Sequence, residues 1–300
     1  MANTLDADLK NEIVSNMALV SFQAQLRALS LFATDYSSEL AREGDTVRVP
    51  SVPDAAAAQD KSRGSAYTVQ DTTQNEVGIT LDTHKYVSWH VEDIDANASS
   101  VANLEMLGIN KGATLAKAVV QEILADVTNA NYSNKVTVAS TAFDRDDVAD
   151  IAEDCDTLDW PAAGRGLLLS PAYYRALTKD EATFADNYGT DELIKGTAGR
   201  AIRIDDFDTY NVNYIPGNSE NLVGFAAWGD AIICAMRYNE PVGGGQPGSV
   251  YRPVTDPDTG LTLGYREYYD DSIGRRIAIL ECLYGSEVGK GDSIVRIVSA

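Results

Sequence analysis

Three groups of residues in this sequence could do chemistry: a glycine run, an acidic run and two histidines. The glycine run, from Gly243 to Gly248, reads GGGQPG and matches the GxGxxG pattern that cradles a dinucleotide pyrophosphate. That use requires a strand before the run and a helix after it. Pro247 interrupts the run, and residues 239–260 around it are rich in glycine and proline, so we interpret it as a flexible loop.

The acidic run from Asp144 to Asp150 has the charge that a calcium site needs. An EF-hand loop starting at Asp144 would require glycine at its sixth position and glutamate at its twelfth. Those positions hold Ala149 and Cys155, so the calcium pattern fails. Acidic residues are favoured in the first turn of a helix by the helix dipole, and the run predicts such a turn.

The two histidines, His84 and His90, fall in one predicted strand and lack the helical spacing of a zinc hydrolase. They share even parity, which would direct both away from the apolar side of that strand. The cysteines, Cys155, Cys234 and Cys282, are widely spaced without CxxC, and we expect buried free thiols. Because nucleophile-elbow and Walker motifs are also absent from the sequence, we predict no catalytic residues, no cofactor, no metal site and no enzyme activity.

The excess of acidic residues argues against some functions. The 300-residue chain has 45 acidic and 24 basic residues and a formal net charge of -21. A sequence-specific DNA-binding protein needs a basic surface, so that function is improbable. An acidic wall around packaged DNA is one interpretation of the charge, and simple solubility is the more general one. No apolar stretch reaches the length of a membrane span, and the first residues do not read as a secretory signal.

Long elements must position whatever surface this chain uses. Residues 9–41 carry an apolar stripe at helical spacing and predict a helix that must lie against its own domain or a neighbouring subunit. Residues 45–53 and 77–91 alternate like strands and flank a polar tip at 54–76. Two strands joined by a polar tip predict an extended two-stranded arm. Because a lone two-stranded arm is only marginally stable in water, it requires a partner surface.

The rest of the chain predicts a mixture of helices and strands. The strongest helix spans residues 99–128 and would be roughly 40 Å long. Residues 143–270 resemble an α/β region, with a buried strand at 167–169, a helix opened by Ser170 and Pro171, and strands at 200–205, 210–215 and 222–227. Residues 261–300 are rich in strands. The predicted fold class is therefore α+β.

The order of these elements resembles the Hong Kong 97 capsid fold of tailed phages. Several segments are similar to those of phage major capsid proteins: Gly44–Pro50, Leu81–Tyr86, Gly196–Ile202 followed by Asp206–Pro216, Gly229–Ile232 and Asp270–Gly285. The resemblance covers nearly the whole chain. It implies an N-terminal arm at 1–43, an E-loop at 44–94, a peripheral domain with a spine helix at 95–140, an axial domain at 141–260, and return strands of the peripheral domain at 261–300.

The resemblance implies a major capsid protein that assembles as pentamers and hexamers of an icosahedral head around double-stranded DNA. Expected partners are further copies of the chain, scaffold, portal and decoration proteins, and DNA without sequence specificity, with assembly in the host cytoplasm and a final place in the virion capsid. The residues we expect at contacts between subunits are Leu9, Ile13, Met17, Val20, Lys61, Arg63, Tyr67, His84 and Lys85.

Alternatives to a phage coat protein remain at this point. An encapsulin, a bacterial compartment shell, would share the fold, whereas a cytoplasmic enzyme with a scattered site or an adhesin or tail component would belong to another class. Some members of the capsid family crosslink an E-loop lysine to an asparagine of a neighbour. Lys61 matches in position, but no glutamate for this reaction is recognisable, and we expect a solvated lysine or one in a simple ionic contact.

Overall fold

The computed structural model describes residues 33–35, 46–50, 60–64, 66–67, 76–92, 101–179, 202–229, 231–238, 249–255 and 262–300. The glycine run and most of the N-terminal helix predicted at 9–41 lie outside these residues. The exception is Ala33–Asp35, which forms a short strand and not part of a helix. Its three residues pair with a later strand, and this tertiary pairing overrides the local helical pattern.

Three helices and fourteen strands make up the described part of the chain. The helices are α1 (Val101–Ile123), α2 (Arg145–Thr157) and α3 (Pro171–Lys179). The strands, in chain order, are β1 (Ala33–Asp35), β2 (Thr46–Pro50), β3 (Glu76–Thr80), β4 (Thr83–Glu92), β5 (Lys135–Thr137), β6 (Arg165–Leu169), β7 (Ile202–Ile204), β8 (Phe207–Asn211), β9 (Leu222–Trp228), β10 (Ile232–Arg237), β11 (Val250–Thr255), β12 (Thr262–Asp270), β13 (Arg275–Val288) and β14 (Ile294–Val298).

The long helix predicted at 99–128 is confirmed as α1, which ends in a tighter 3-10 turn at Leu124–Asp126. The 23 residues of α1 span roughly 34 Å. Its apolar stripe is buried through Leu115, Val119 and Ile123. This stripe packs on the first sheet and fixes the helix across it.

The first sheet has β13 at its centre. One edge of β13 pairs with β4, and the other pairs with β12 and then with β10. β11 extends the sheet beyond β12, and β1 extends it beyond β10. Side chains of even number on β13 face α1 in the main core, and Leu283 faces the opposite side. We call that opposite side the outward face of the first sheet.

The second sheet has the order β5-β14-β9-β6-β8-β7. One of its faces carries Leu168 and Phe225 into the main core beside α1. The other face carries Leu167, Leu169 and Val295 into a second core, which α2 and α3 cover. The predicted strand at 210–215 is displaced, because the pairing with β6 covers residues 207–211.

The division of the chain between the two sheets differs from the predicted boundary at residue 260. β10 and β11 fall inside 141–260 but pair in the first sheet, and β14 falls inside 261–300 but pairs in the second. The chain crosses between the sheets at residues 127–134, 229–231 and 289–293. Strand pairing over such long separations cannot be read from local periodicity.

Candidate assembly surfaces

The predicted two-stranded arm is present in part. Of the second strand predicted at 77–91, only residues up to Thr80 lie in the arm, as β3, whereas Thr83–Glu92 form β4, which pairs with β13 in the first sheet. β2 and β3 pair antiparallel from Thr46 opposite Thr80 to Pro50 opposite Glu76. Arg48 and Glu76 form an exposed ion pair across the arm, with Nη1 3.1 Å from Oε2. Within the described residues, neither strand pairs with a third strand. Both outer edges of this two-stranded sheet are therefore left unpaired by the described part of the chain.

The described tip of the arm is polar and exposed. Lys61 and Arg63 are both exposed, and Gly64 turns the chain with φ of +90°. The Lys61 Nζ atom lies 3.3 Å from the centroid of the Tyr67 ring, a cation–π contact. Tyr67 itself is 81% exposed, the largest exposure among the large apolar side chains of the described residues. The tip thus presents one aromatic ring and two cations to solvent.

The root of the arm, in contrast, is anchored on the outward face of the first sheet. Ile79 is fully buried and Leu81 nearly so. They pack against Ile233, Ala235 and Leu283 in a small core of their own. This small core is separate from the other two and holds the root of the arm against the first sheet.

His84 and Lys85 follow directly after the root and have partners within the chain. The His84 Nε2 atom lies 3.3 Å from the Glu281 Oε2 atom, and the other oxygen of that buried carboxylate is 2.5 Å from an Arg266 Nη2 atom. Lys85 forms an ion pair with Glu122 on α1. As predicted, His84 and His90 both lie on the exposed side of β4, opposite buried Trp89.

The remaining candidate contact residues, Leu9, Ile13, Met17 and Val20, lie outside the described residues. Of the nine candidates, the structure gathers Lys61, Arg63 and Tyr67 at the tip, and His84 and Lys85 near the root. Their contacts with other subunits remain a prediction.

The acidic run has the structural role that its position predicted. Asp144 caps α2 by accepting hydrogen bonds from the backbone N–H groups of Asp146 and Asp147. The Asp147 carboxylate in turn accepts from the Asp144 N–H at 3.1 Å, which completes a capping box. Among the residues that the structure describes, no group of three or more histidine, cysteine, aspartate or glutamate side chains is arranged to hold a metal ion.

All three cysteines are buried free thiols, as predicted. Burial raises the pKa of the Cys155 thiol to about 12 and that of the Cys282 thiol to about 12. Such thiols remain protonated at neutral pH and are poor nucleophiles. No helix in the described ranges has the length and apolar character to cross a membrane.

Sequence reasoning missed a buried polar cluster around Arg296 on β14. The guanidinium, 1% exposed, donates to the Tyr132 carbonyl oxygen at 2.7 Å and to Asn129 Oδ1 at 2.6 Å, and it also pairs with Glu220. The Glu220 carboxylate accepts the Asn129 backbone N–H. The one signal in the sequence is a single arginine inside the apolar segment 294–298.

The same cluster ties together the three chain crossings between the sheets. The Tyr132 hydroxyl donates to the Ala231 carbonyl oxygen at 2.6 Å, and the Gly289 N–H donates to the same oxygen at 3.0 Å. The Asn218 side chain donates to the carbonyl oxygens of Leu124 and Val127 at the end of α1. These bonds hold α1 and both sheets in one relative arrangement.

Three solved structures with the same fold come from phages. A capsid structure of cyanophage P-SCSP1u has a TM-score of 0.63 and 14% identity, covering 90% of this chain and 86% of that one. The mature capsid asymmetric unit of bacteriophage PhiM1 has a TM-score of 0.59 and 12% identity, covering 89% and 85%. A structure from Mycobacterium phage Che8 has a TM-score of 0.58 and 16% identity, covering 90% of each chain.

No protein-family profile matches the sequence, and no curated protein matches it. At sequence identities of 12% to 16%, structural similarity identifies the fold. This chain therefore has an α+β phage capsid fold.

Proposed function

We propose that this chain is the major capsid subunit of a tailed-phage head, which assembles as pentamers and hexamers into an icosahedral shell around double-stranded DNA. The fold shared with phage capsid structures over about 90% of the chain supports this function. The observation that carries it is the arm, whose root is buried in the subunit and whose tip is exposed. Two strands beyond such a root are only marginally stable in water, so the exposed tip is suited to dock on a neighbouring subunit.

Under this proposal, the parts of the chain take the following places in the capsid fold. Residues 1–43 are the N-terminal arm, and residues 44–94 contain the E-loop. α1 is the spine helix, and the first sheet forms the peripheral domain with it. The second sheet with α2 and α3 forms the axial domain, which includes β14 and excludes β10 and β11.

The proposed partners follow from the same role. Copies of the chain contact one another through the arm tip and the N-terminal segment, which includes Leu9, Ile13, Met17 and Val20. Scaffold, portal and decoration proteins are further partners. The net charge of -21 is compatible with an inner wall that encloses DNA without binding it tightly. Assembly takes place in the host cytoplasm, and the final location is the virion capsid.

Electron microscopy of the purified chain after size exclusion tests the proposal. Closed polyhedral particles or rings of capsomers are the expected result. A monodisperse species of one chain mass at every salt concentration would contradict a shell protein and favour an enzyme. Particles that co-purify with protein cargo, and not with DNA and a portal, would indicate an encapsulin-type compartment with the same fold.

A deletion of residues 55–74 tests the role of the arm tip. Because the root packs through Ile79 and Leu81, which the deletion leaves in place, we expect a folded subunit with native circular dichroism. Shell formation should be lost, since the deleted tip carries the exposed Lys61, Arg63 and Tyr67. Normal particles from the deletion variant would refute this role.

A denaturing gel of intact shells tests whether Lys61 is crosslinked. Because Lys61 contacts the Tyr67 ring, we expect a single monomer band after boiling. A ladder of covalent oligomers that disappears in Lys61→Met would show instead that the lysine forms an isopeptide bond.

A further inference from the structure

Gly285 lies on β13 directly beneath the root of the arm. A Cβ atom at this position would overlap the carbonyl oxygen of Thr80, and it would lie 2.9 Å from the carbonyl carbon of Thr80 and 3.1 Å from Ile79 Cγ2. Thr80 is the last residue of β3. The backbone of the arm therefore rests on a place that only glycine leaves free.

The glycine is required for space and not for backbone conformation. Position 285 pairs regularly with Ala235 in the middle of an antiparallel ladder, and its φ is not in the left-handed region. Glycine in the interior of a strand is usually unfavourable and marks a close approach of another chain segment. Here the approaching segment is the backbone of β3.

We propose that Gly285 is a positioning residue that sets the angle at which the arm leaves the body of the subunit. The buried side chains of Ile79 and Leu81 flank Thr80 and hold the root sideways. A Cβ at position 285 cannot be accommodated by a sideways shift without exposing one of them. The root must instead lift away from β13 at Thr80, which tilts the whole arm.

The tilt is amplified along the arm. Relief of the overlap requires a lift of about 1 Å, since non-bonded carbon contacts are optimal near 3.5–4 Å. If the arm pivots at Leu81, roughly 3.4 Å from Thr80, a lift of about 1 Å at Thr80 becomes about 3 Å at Gly78, three residues from the pivot. Gly78 lies opposite Arg48 on β2. The consequence of this tilt for assembly rests on the proposed function, whereas the angle of the arm is a property of the subunit alone.

A distance measurement between arm and body tests the proposal directly. Spin labels at Arg48→Cys on the arm and Asp271→Cys on the body would report the arm angle by double electron–electron resonance. Both positions are exposed, and the native cysteines are buried. Labelled chain is diluted with unlabelled chain so that each distance belongs to one subunit. Gly285→Ala should shift the mean distance by about 3 Å, as worked from the pivot at Leu81.

Gly217→Ala is the matched control, because a Cβ there would meet no heavy atom within 4 Å. It should leave both the distance and particle formation unchanged. For Gly285→Ala we expect loss of regular closed particles with the circular dichroism of a folded subunit. An unchanged distance in that variant overturns the proposal, and a shifted distance with normal particles overturns its consequence for assembly.

Ile79→Ala provides a second variant if Gly285→Ala does not fold. It adds no overlap and loosens the root, so the distance distribution should broaden; an unchanged width contradicts a root that sets the angle. If the unmodified chain forms no particles, the proposed function fails, whereas the distances still decide the role of Gly285.

Discussion

The substitution Arg296→Met should destabilise the folded subunit far more than the removal of an arginine charge at the surface would. Arg296 is almost fully buried and has three acceptors, the Tyr132 carbonyl oxygen, Asn129 Oδ1 and the Glu220 carboxylate. Methionine has a similar length, so it fills the space without leaving a large cavity. The loss then reports the polar contacts and not the packing.

The magnitude follows from what the substitution leaves behind. Removal of one partner from a buried ion pair costs about 3–5 kcal/mol, because the other charge remains uncompensated. The Glu220 side chain is 31% exposed and keeps its hydrogen bond from the Asn129 N–H, so water and the backbone offset part of this cost. We therefore expect a decrease of about 2–4 kcal/mol in the free energy of unfolding.

Arg48→Met is the matched control, since it removes the same charge from an arginine–glutamate pair at the surface. The side chains of Arg48 and Glu76 are 76% and 58% exposed, and such pairs contribute about 0–1 kcal/mol. Urea unfolding of the unassembled subunit, followed by tryptophan fluorescence, measures both variants. A further change, Glu220→Gln in the Arg296→Met background, should recover part of the loss. Equal losses for the two arginine variants would refute the argument that the buried contacts of Arg296 stabilise the fold.

Two further predictions concern titratable groups. Burial raises the pKa of Asp126, so the folded state binds its proton more tightly than the unfolded state, and stability falls as pH rises through that range. Asp126→Asn should therefore raise the melting temperature at pH 7 and make no difference below the ordinary carboxyl pKa. The Ser272 hydrogen bond lowers the pKa of Asp270, so Asp270→Asn should instead lower the melting temperature at pH 7, with the difference lost in acid. Melting curves at both pH values check the two signs, and equal shifts in both variants would contradict them. A last prediction concerns the cysteines: iodoacetamide at pH 7 should label none of the three in the native subunit and all of them in urea. All three are buried, and burial raises the thiol pKa of Cys155 and Cys282. Labelling of the native subunit, detected by mass spectrometry, would contradict this prediction.

The elements with a strong local period could be predicted from the sequence. α1 has an apolar residue on one face at nearly every turn, and β4 alternates between exposed positions and half-buried or buried ones over ten residues. The capping of α2 by Asp144 also depends only on neighbouring residues. In each case the physical determinant lies within one element, so no knowledge of the tertiary structure is needed.

The features that depend on distant parts of the chain could not be predicted. β1 has three residues, too few for a period, and it exists because of its pairing with β10. β10 and β11 lie in the first sheet and β14 lies in the second because of pairing between strands that are far apart in the sequence. Gly285 looks like any strand glycine until Thr80 is seen above it, and Arg296 looks like a surface residue until its acceptors are known.

The root of the arm is stabilised within the subunit, whereas the tip is exposed, and this difference affects how assembly can be controlled. The root is satisfied within the chain, through Ile79, Leu81 and the close approach at Gly285. In the described tip, Lys61 contacts the Tyr67 ring, and this contact leaves the ring exposed. Under the proposed function, the angle of the arm is set before the subunit meets a neighbour, so the root loses little conformational freedom when the arm docks. Changes at the tip should therefore alter the affinity between subunits, whereas changes at the root should alter the geometry of the shell.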